Sequence, residues 1–188
     1  MNSFNQAGVF LVNTLFELYI LTLLLRIILQ WAGASFFNPI CKFIVKVTDP
    51  VTQPLRRVLP RIRVFDLATL IAAFILEALK FFLIVLIATG AWLGLVSIVI
   101  LSIAALLKLT INIFFYAILI SAILSWVNPN LHSPITEIIH RITEPLLAPA
   151  RRLIPPIAGF DISPIPVMIA LQLLLILLVQ PLMAWVLQ

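Results

Sequence analysis

Long blocks of apolar residues, separated by polar segments, dominate the hydrophobic pattern of this 188-residue chain. Apolar runs lie at about 8–31, 67–88, 100–127 and 164–187. Each run reaches the roughly 20 residues that a helix needs to cross a bilayer. Backbone polar groups in lipid must be paired within their own segment, so these runs are predicted to be helices. The pattern predicts an all-α integral membrane protein with four transmembrane helices.

The two long polar segments, 32–66 and 128–163, match each other when the sequence is displaced by 95 residues. The stretch TDPVTQPLRRVLP at 48–60 recurs as TEPLLAPARRLIP at 143–155. Leucine repeats easily by chance in an apolar chain, but tryptophan, proline, paired arginine and aspartate in gapless register do not, so the match indicates an internal duplication. The matched pairs include Trp31 with Trp126, Pro39 with Pro134, Pro54 with Pro149, Arg56 with Arg151 and Asp66 with Asp161.

The duplication divides the chain into two tandem repeats, 1–93 and 94–188, each predicted to be a helix, an interfacial amphipathic segment and a second helix. Because two spans return the chain to its starting side, the repeats are expected to be parallel in the membrane. One alternative concerns the apolar block 89–127, where a break near Lys108 would give five spans. That version would put the matched loops on opposite faces of the membrane, so four spans are favoured.

Each polar loop contains a helix start signal. Asn38 and Ser133 are good N-caps, and the proline that follows each one suits the first helical position. Isoleucines then recur at helical spacing in the second loop, at Ile135, Ile138, Ile139 and Ile142. The pattern predicts an amphipathic helix of two to three turns that lies in the membrane interface. Pro50 and Pro145 are expected to end these helices.

Composition excludes a water-soluble globule, because 63% of the residues are hydrophobic and only 10% are charged, against about 25% charged in soluble domains. The single Cys41 excludes an internal disulfide, and two histidines are too few for a histidine metal centre. Nucleotide-binding and metalloprotease motifs do not occur, so no cofactor, metal or nucleic-acid partner is expected. The N-terminal run lacks a basic start and is too long for a signal peptide, so it is interpreted as a retained span.

Basic residues predict the orientation. Of the 12 lysines and arginines, nine fall in the two polar loops: Lys42, Lys46, Arg56, Arg57, Arg61, Arg63, Arg141, Arg151 and Arg152. The positive-inside rule then places both loops in the cytoplasm and both termini in the periplasm.

The paired arginines, Arg56–Arg57 and Arg151–Arg152, are candidate binding residues for anionic lipid or a partner protein, since each is expected at headgroup depth. The competing interpretation is that they only anchor the orientation. A catalytic role is disfavoured because no nucleophile or base accompanies them. Asp66 and Asp161 each precede a predicted span and are expected to be structural helix caps.

The predicted spans also contain polar groups, which are costly in lipid and are therefore candidates for function. The candidate mid-membrane cluster comprises Glu17, Arg26, Glu77, Lys80 and, where the second repeat matches the two glutamates, Asn112 and Gln172. In one interpretation these groups hydrogen-bond across helices, with Arg26 and Lys80 neutralising the glutamates. In the other, Glu17 and Glu77 bind a cation or relay protons. The neutral amides of the second repeat argue against a symmetric ion pore.

The duplicated pattern W…NP/SP…T(D/E)P…P…RR…P…FD resembles the YggT family of bacterial membrane proteins, in its two-repeat proteobacterial form. The first copy carries the pattern as Trp31, Asn38, Pro39, Asp49, Pro50, Pro54, Arg56, Arg57, Pro60, Phe65 and Asp66. The second copy carries it as Trp126, Ser133, Pro134, Glu144, Pro145, Pro149, Arg151, Arg152, Pro155, Phe160 and Asp161. The resemblance covers nearly the whole chain. The second copy differs from the first at two motif positions, with Ser133 in place of Asn38 and Glu144 in place of Asp49. Both replacements retain a side chain that can cap a helix.

The resemblance implies a poorly characterised integral membrane protein without an established enzymatic activity. Bacterial members are associated with resistance to osmotic shock, and some are encoded beside cell-division genes. Plastid relatives are associated with haem attachment to a cytochrome and with nucleoid partitioning.

These features together favour a non-enzymatic protein of the bacterial inner membrane that acts in envelope assembly or scaffolding and supports resistance to osmotic shock. The alternative is an ion channel or transporter subunit with a mid-membrane polar site. The expected partners are anionic lipid headgroups and, by the resemblance, other membrane or cell-division proteins. A homo-oligomer is compatible with so small a bundle.

Overall fold

The computed structural model describes residues 2–35, 37–57, 59, 66–90, 92–127, 133–154 and 161–187. All regular secondary structure in these ranges is helical, which confirms the predicted fold class. Four residues of the repeat motif lie outside the described residues: Pro60, Phe65, Pro155 and Phe160. Two basic residues of the first loop, Arg61 and Arg63, lie outside them as well.

Within the described ranges, four long helices are apolar enough to cross a membrane, as predicted. The first repeat contributes α1 (Ser3–Trp31) and α3 (Leu67–Thr89), and the second contributes α4 (Leu95–Val127) and a composite helix. The composite helix consists of α6 (Pro164–Leu174), a π-helical turn (Leu175–Val179) and α7 (Gln180–Leu187).

Helix α4 is continuous through Lys108, so the five-span alternative is wrong. The helix begins earlier than the expected residue 100, because neither glycine nor proline interrupts the apolar residues that follow Gly94. Gly90 ends α3 in a left-handed conformation, with φ 66°, and its N–H donates to the carbonyl oxygen of Leu86 at 3.0 Å. Glycine suits this position because a Cβ would be strained there.

The loop helices α2 (Pro39–Arg56) and α5 (Pro134–Leu153) are longer than predicted. The expectation that Pro50 and Pro145 would end them is wrong, since both prolines lie inside continuous helices. A proline in a helix interior removes a backbone hydrogen bond and costs about 3 kcal/mol.

Contacts from α1 help to offset that cost in α2. The Tyr19 hydroxyl donates to the carbonyl oxygen of Val47 at 3.2 Å, and Nη1 of Arg26 donates to that of Val45 at 3.4 Å. These two carbonyls flank that of Lys46, which loses its helical donor at Pro50. The bonds tie the buried face of α2 to a spanning helix.

The larger hydrophobic core lies mainly in the first repeat, where α1 packs against α2 and α3. A smaller cluster in the second repeat is centred on Ile118, Leu147 and Leu171. The two repeats meet between α3 and α4, and also at their loop helices, where Nδ2 of Asn38 donates to the carbonyl oxygen of Pro134 at 2.8 Å. This contact places α2 and α5 on the same side of the bundle.

Candidate functional site

Arg26 is the centre of a buried polar network in the first repeat. Its side chain is only 6% exposed, and it leaves α1 to reach α2. Nη1 donates to Thr48 Oγ1 at 2.6 Å and to Asp49 Oδ1 at 2.9 Å. Nε lies 3.9 Å from Oδ2 of Asp66, at the start of α3. A single guanidinium thus bridges three helices.

Arg56 completes this network from the last turn of α2. It forms an ion pair with Asp66, and its Nη1 lies 3.6 Å from Asp49 Oδ1. Two arginines and two aspartates balance in charge, which is the condition for holding ions away from water. We call Arg26, Asp49, Arg56 and Asp66 the first clasp.

Asp66 has a second role as the N-cap of α3. Its carboxylate accepts from the Thr69 backbone N–H at 3.4 Å and from the Thr69 hydroxyl at 2.7 Å. Burial alone would raise the pKa of Asp66, but the hydrogen bonds from Arg56 and Thr69 and the Arg56 charge outweigh it, so this pKa lies below its ordinary value. The carboxylate is therefore held in its charged form.

The second repeat has a simpler counterpart, which we call the second clasp: Glu144, Arg151 and Asp161. Arg151 Nη1 donates to Glu144 Oε2 at 2.7 Å, and Arg151 Nε donates to Asp161 Oδ2 at 2.8 Å. Partial burial would lower the pKa of Arg151, but the two carboxylates outweigh it and raise this pKa. The position that matches Arg26 is Ser121, so one arginine serves two acids here.

Asp161 does not cap the following helix as expected. Helix α6 begins at Pro164 with Ser163 as its N-cap residue, and the Asp161 carboxylate accepts from the Ser163 backbone N–H at 2.9 Å. In the first repeat the backbone N–H of Thr69 donates to Asp66. The matching residue in the second repeat is Pro164, which has no N–H to donate to Asp161. Hydrogen bonds from Ser163 and Arg151 outweigh the effect of burial and lower the pKa of Asp161.

The arginine pairs divide into one inward and one outward residue. Arg56 and Arg151 belong to the clasps, whereas Arg57 and Arg152 are exposed. Three further basic residues of the loop helices are exposed, and none of the five has an ion-pair partner among the described residues. We call this set the basic platform: Lys42, Lys46, Arg57, Arg141 and Arg152.

Glu17, Glu77 and Lys80 form a second polar cluster, the intramembrane triad, between α1 and α3. Lys80 Nζ lies 2.5 Å from Glu77 Oε1 and 3.6 Å from Glu17 Oε1. Glu77 is only 1% exposed, whereas the side chain of Glu17 is 51% exposed. The short Lys80–Glu77 contact is an ion pair, and Glu77 Oε1 accepts no well-aligned hydrogen bond from the part of the chain that the structure describes. Charge attraction therefore compensates this oxygen.

The other members expected in this cluster are not part of it. Arg26 lies nine residues beyond Glu17, about 13.5 Å along the helix, so its expected pairing with a glutamate is wrong. Asn112 and Gln172 are half-buried, and within the described ranges neither side chain makes a hydrogen bond. The polar groups of the second repeat do not join the triad.

Sequence reasoning placed Asp49 and Glu144 in the repeat motif as capping residues but did not predict their ion pairs, and it gave no role to Thr48 or Tyr19. A signal was available for the two acids, since they occupy the matched T(D/E)P positions of loops that also contain matched arginines. Clusters of three or more potential metal ligands are absent from the described part of the chain. The site is thus two ion-pair clasps, a basic platform and an intramembrane triad.

Comparison with known proteins accounts for the repeat. The profile of the family described as CCB3/YggT matches residues 5–87 and again 100–182. The two matches are displaced by the same 95 residues as the internal duplication. The chain belongs to the CCB3/YggT family. Each match contains one complete clasp and the spans that it joins.

Relatives of the CCB3/YggT family align over most of the chain. A Vibrio alginolyticus protein is 45% identical, over 87% of this chain and 88% of its own length. A Pseudomonas aeruginosa protein is 40% identical over 98% and 94%. The Escherichia coli K12 protein YggT is 41% identical over 88% and 85%. All three are described as uncharacterized, and no solved structure matches the chain.

Proposed function

We propose that this protein is a non-enzymatic scaffold of the bacterial inner membrane, which acts in envelope assembly and supports resistance to osmotic shock. One observation carries the proposal: in each repeat an ion-pair clasp fastens the amphipathic helix to the start of the second spanning helix, and the neighbouring arginine is left exposed. Such an arrangement supports a fixed basic surface rather than a reaction centre.

The basic platform suits an anionic partner. Its five cations have no acidic neighbour within ion-pair distance in the described ranges, and α2 and α5 hold them on one side of the bundle. A basic residue near an anionic membrane surface contributes about 1 kcal/mol. Anionic headgroups are therefore the primary ligand in this proposal, and an acidic face of another membrane or cell-division protein is a second candidate for the same surface.

Orientation follows from the same charges. The positive-inside rule places the basic platform in the cytoplasm and both termini in the periplasm. A periplasm-active reporter fused after Gln188 should be active, and a cytoplasm-active one silent. The opposite pattern would contradict this orientation and would leave the platform on the wrong side for cytoplasmic partners.

The platform itself is tested by neutralising its outward arginines. In a deletion strain, Arg57→Gln or Arg152→Gln alone should reduce growth after a hyperosmotic shift only mildly, because the remaining charges act additively. The double variant should reduce growth severely at matched membrane levels. The double variant Arg57→Lys with Arg152→Lys is the matched control, because it changes the same exposed positions and keeps their charge. Wild-type growth of the double variant would contradict the proposal.

The intramembrane triad favours a second candidate, an ion channel or transporter subunit. Two carboxylates share one lysine, so a bound proton or cation can balance the remaining charge. Purified protein in liposomes would then conduct cations or protons, and Glu77→Gln would abolish the flux without loss of stability. A flux equal to that of empty liposomes would exclude this candidate.

A further inference from the structure

Glu17 is exposed where an acid is least expected. Its side chain is 51% exposed on the outward face of α1, and the exposed residues that precede and follow it on this helix, Leu15 and Leu18, are apolar. In the first repeat its carboxylate is about 21 Å from Trp31 along the helix, which is well inside a hydrocarbon core about 30 Å thick. Its partner Lys80 lies 3.6 Å away and closer to Glu77, so Glu17 is incompletely compensated.

Lys108 is an exposed positive charge within a span, opposite in sign to Glu17. It is the charged residue of α4, it is exposed, and it has no ion-pair partner among the described residues. Its neighbours Ile103 and Leu107 are exposed as well. Ionisable side chains on lipid-facing surfaces are costly and usually pair with one another.

The repeat register puts these two charges at nearly the same depth. Lys108 matches Asn13, which is one helical turn from Glu17 on α1. Four residues span about 6 Å along a helix, a distance that the flexible lysine side chain can cover. Helices α1 and α4 are the first spans of parallel repeats, so they run in the same direction.

Within one chain this pairing does not occur, and α3 packs against both α1 and α4. A second copy in the same membrane would carry its own α4 at the required depth and direction. We propose that the outward face of α1 docks against α4 of a second copy of this chain, with Glu17 paired to Lys108 of the neighbour. A two-fold axis along the membrane normal would form this contact twice and close the assembly at two copies.

Cysteine cross-linking in native membranes tests the contact. Cys41, the single cysteine, is first replaced by serine. One tagged copy then carries Thr14→Cys, and a differently tagged copy carries Asn112→Cys. These half-buried positions share a helix face with Glu17 and Lys108, and the repeat register places them within three residues of equal depth. Oxidation should give a doubly tagged species at twice the 21.0 kDa chain mass. The matched control pairs Asn112→Cys with Leu177→Cys, an exposed position on the composite helix.

The charge pair is tested on the same cross-link. Lys108→Glu should lower its yield at least fivefold, because it faces Glu17 with a like charge, and Lys108→Arg should preserve it. Lys108 is exposed, so these variants leave the core intact. A yield no greater than that of the Leu177 control, or a yield unchanged by Lys108→Glu, would overturn the proposal. A cross-linked band of another mass would point to a different partner and would also overturn it. The readout does not depend on osmotic growth, so it is independent of the proposed function.

Discussion

The two repeats have kept their loop motif but not their intramembrane charges. Both copies have the acids of the clasp and an arginine on the loop helix, which is Arg56 in the first copy and Arg151 in the second. The spans differ at every charged position of the first copy: Glu17 matches Asn112, Arg26 matches Ser121, Glu77 matches Gln172 and Lys80 matches Leu175. The loop clasp is thus common to both copies, whereas these four intramembrane charges are specific to the first, and Lys108 of α4 matches the neutral Asn13.

The two repeats also differ in which residues they bury: the first buries Lys80 and Thr52 where the second has leucine. Helix α3 buries Glu77 and Lys80 against α1, whereas the π-helical turn of the composite helix begins at the position that matches Lys80. Thr52, an acceptor for Arg26, matches Leu147, which is only 1% exposed. The first repeat therefore has Arg26 together with its acceptor Thr52, and the second repeat has Ser121 together with Leu147. A buried guanidinium needs acceptors, and without it an apolar residue fills the space better.

The largest effect is expected when Arg26 of the first repeat is replaced by serine, the residue at the matching position 121 of the second repeat. Arg26→Ser should destabilise the protein by about 3–5 kcal/mol, because it breaks a buried ion pair and leaves Asp49, Thr48 and Thr52 short of a donor. Thermal unfolding in detergent measures the loss. Ser121→Ala is the matched control at the equivalent position and should stay within about 0.5 kcal/mol of wild type.

A compensating change sharpens the same prediction. Arg26→Ser combined with Thr52→Leu reproduces the second repeat, in which one arginine serves two acids above a buried leucine. The double variant should recover part of the stability lost by Arg26→Ser. A double variant that is less stable than Arg26→Ser would show that the two repeats are not interchangeable at this site.

The sequence predicts the spans, the duplication and the presence of the loop helices, because these follow from apolar length and from residues repeated in register. It does not predict the length of the loop helices or the partners of individual charges. Arg26 is predicted to neutralise a glutamate, but the helical rise separates it from Glu17, and a loop aspartate is nearer. Pro50 is predicted to end α2, because the sequence does not show the bonds that α1 donates to the neighbouring carbonyls.

The intramembrane triad gives a second test, since Gln172 already occupies the position that matches Glu77. Glu77→Gln should be tolerated, because Lys80 keeps Glu17 as a counter-charge and the amide still forms hydrogen bonds. Glu77→Leu should cost about 3 kcal/mol, because it removes the nearer partner of a buried lysine. Unfolding in detergent and growth after hyperosmotic shift measure the two effects. A stable but inactive Gln variant would favour the ion-pathway candidate over the scaffold.

The two clasps should also differ in strength. Arg56→Gln should cost about 1–3 kcal/mol, because Arg56 is 17% exposed and its loss leaves the buried Asp66 short of donors. Arg151→Gln should cost less than about 1 kcal/mol, because Arg151 is 32% exposed and its acids are closer to solvent. Arg57→Gln and Arg152→Gln, one residue further along, are matched controls for the loss of charge. Equal losses from Arg56→Gln and Arg151→Gln would show that the clasps are equivalent.

The smallest expected effect is a difference between the clasps in acid. The pKa values of Asp66 and Asp161 both lie below their ordinary value in the folded protein. A carboxylate of this kind contributes stability that is fully present above its unfolded pKa and is lost as the pH falls through its folded pKa. Thermal stability in detergent should therefore decline only below about pH 4, near the ordinary aspartate pKa. Asp66→Asn should remove more of this decline than Asp161→Asn, because Asp66 is the more buried carboxylate and also caps α3. If the two variants lose stability equally in acid, the charges of Asp66 and Asp161 contribute equally to stability, and the prediction is wrong.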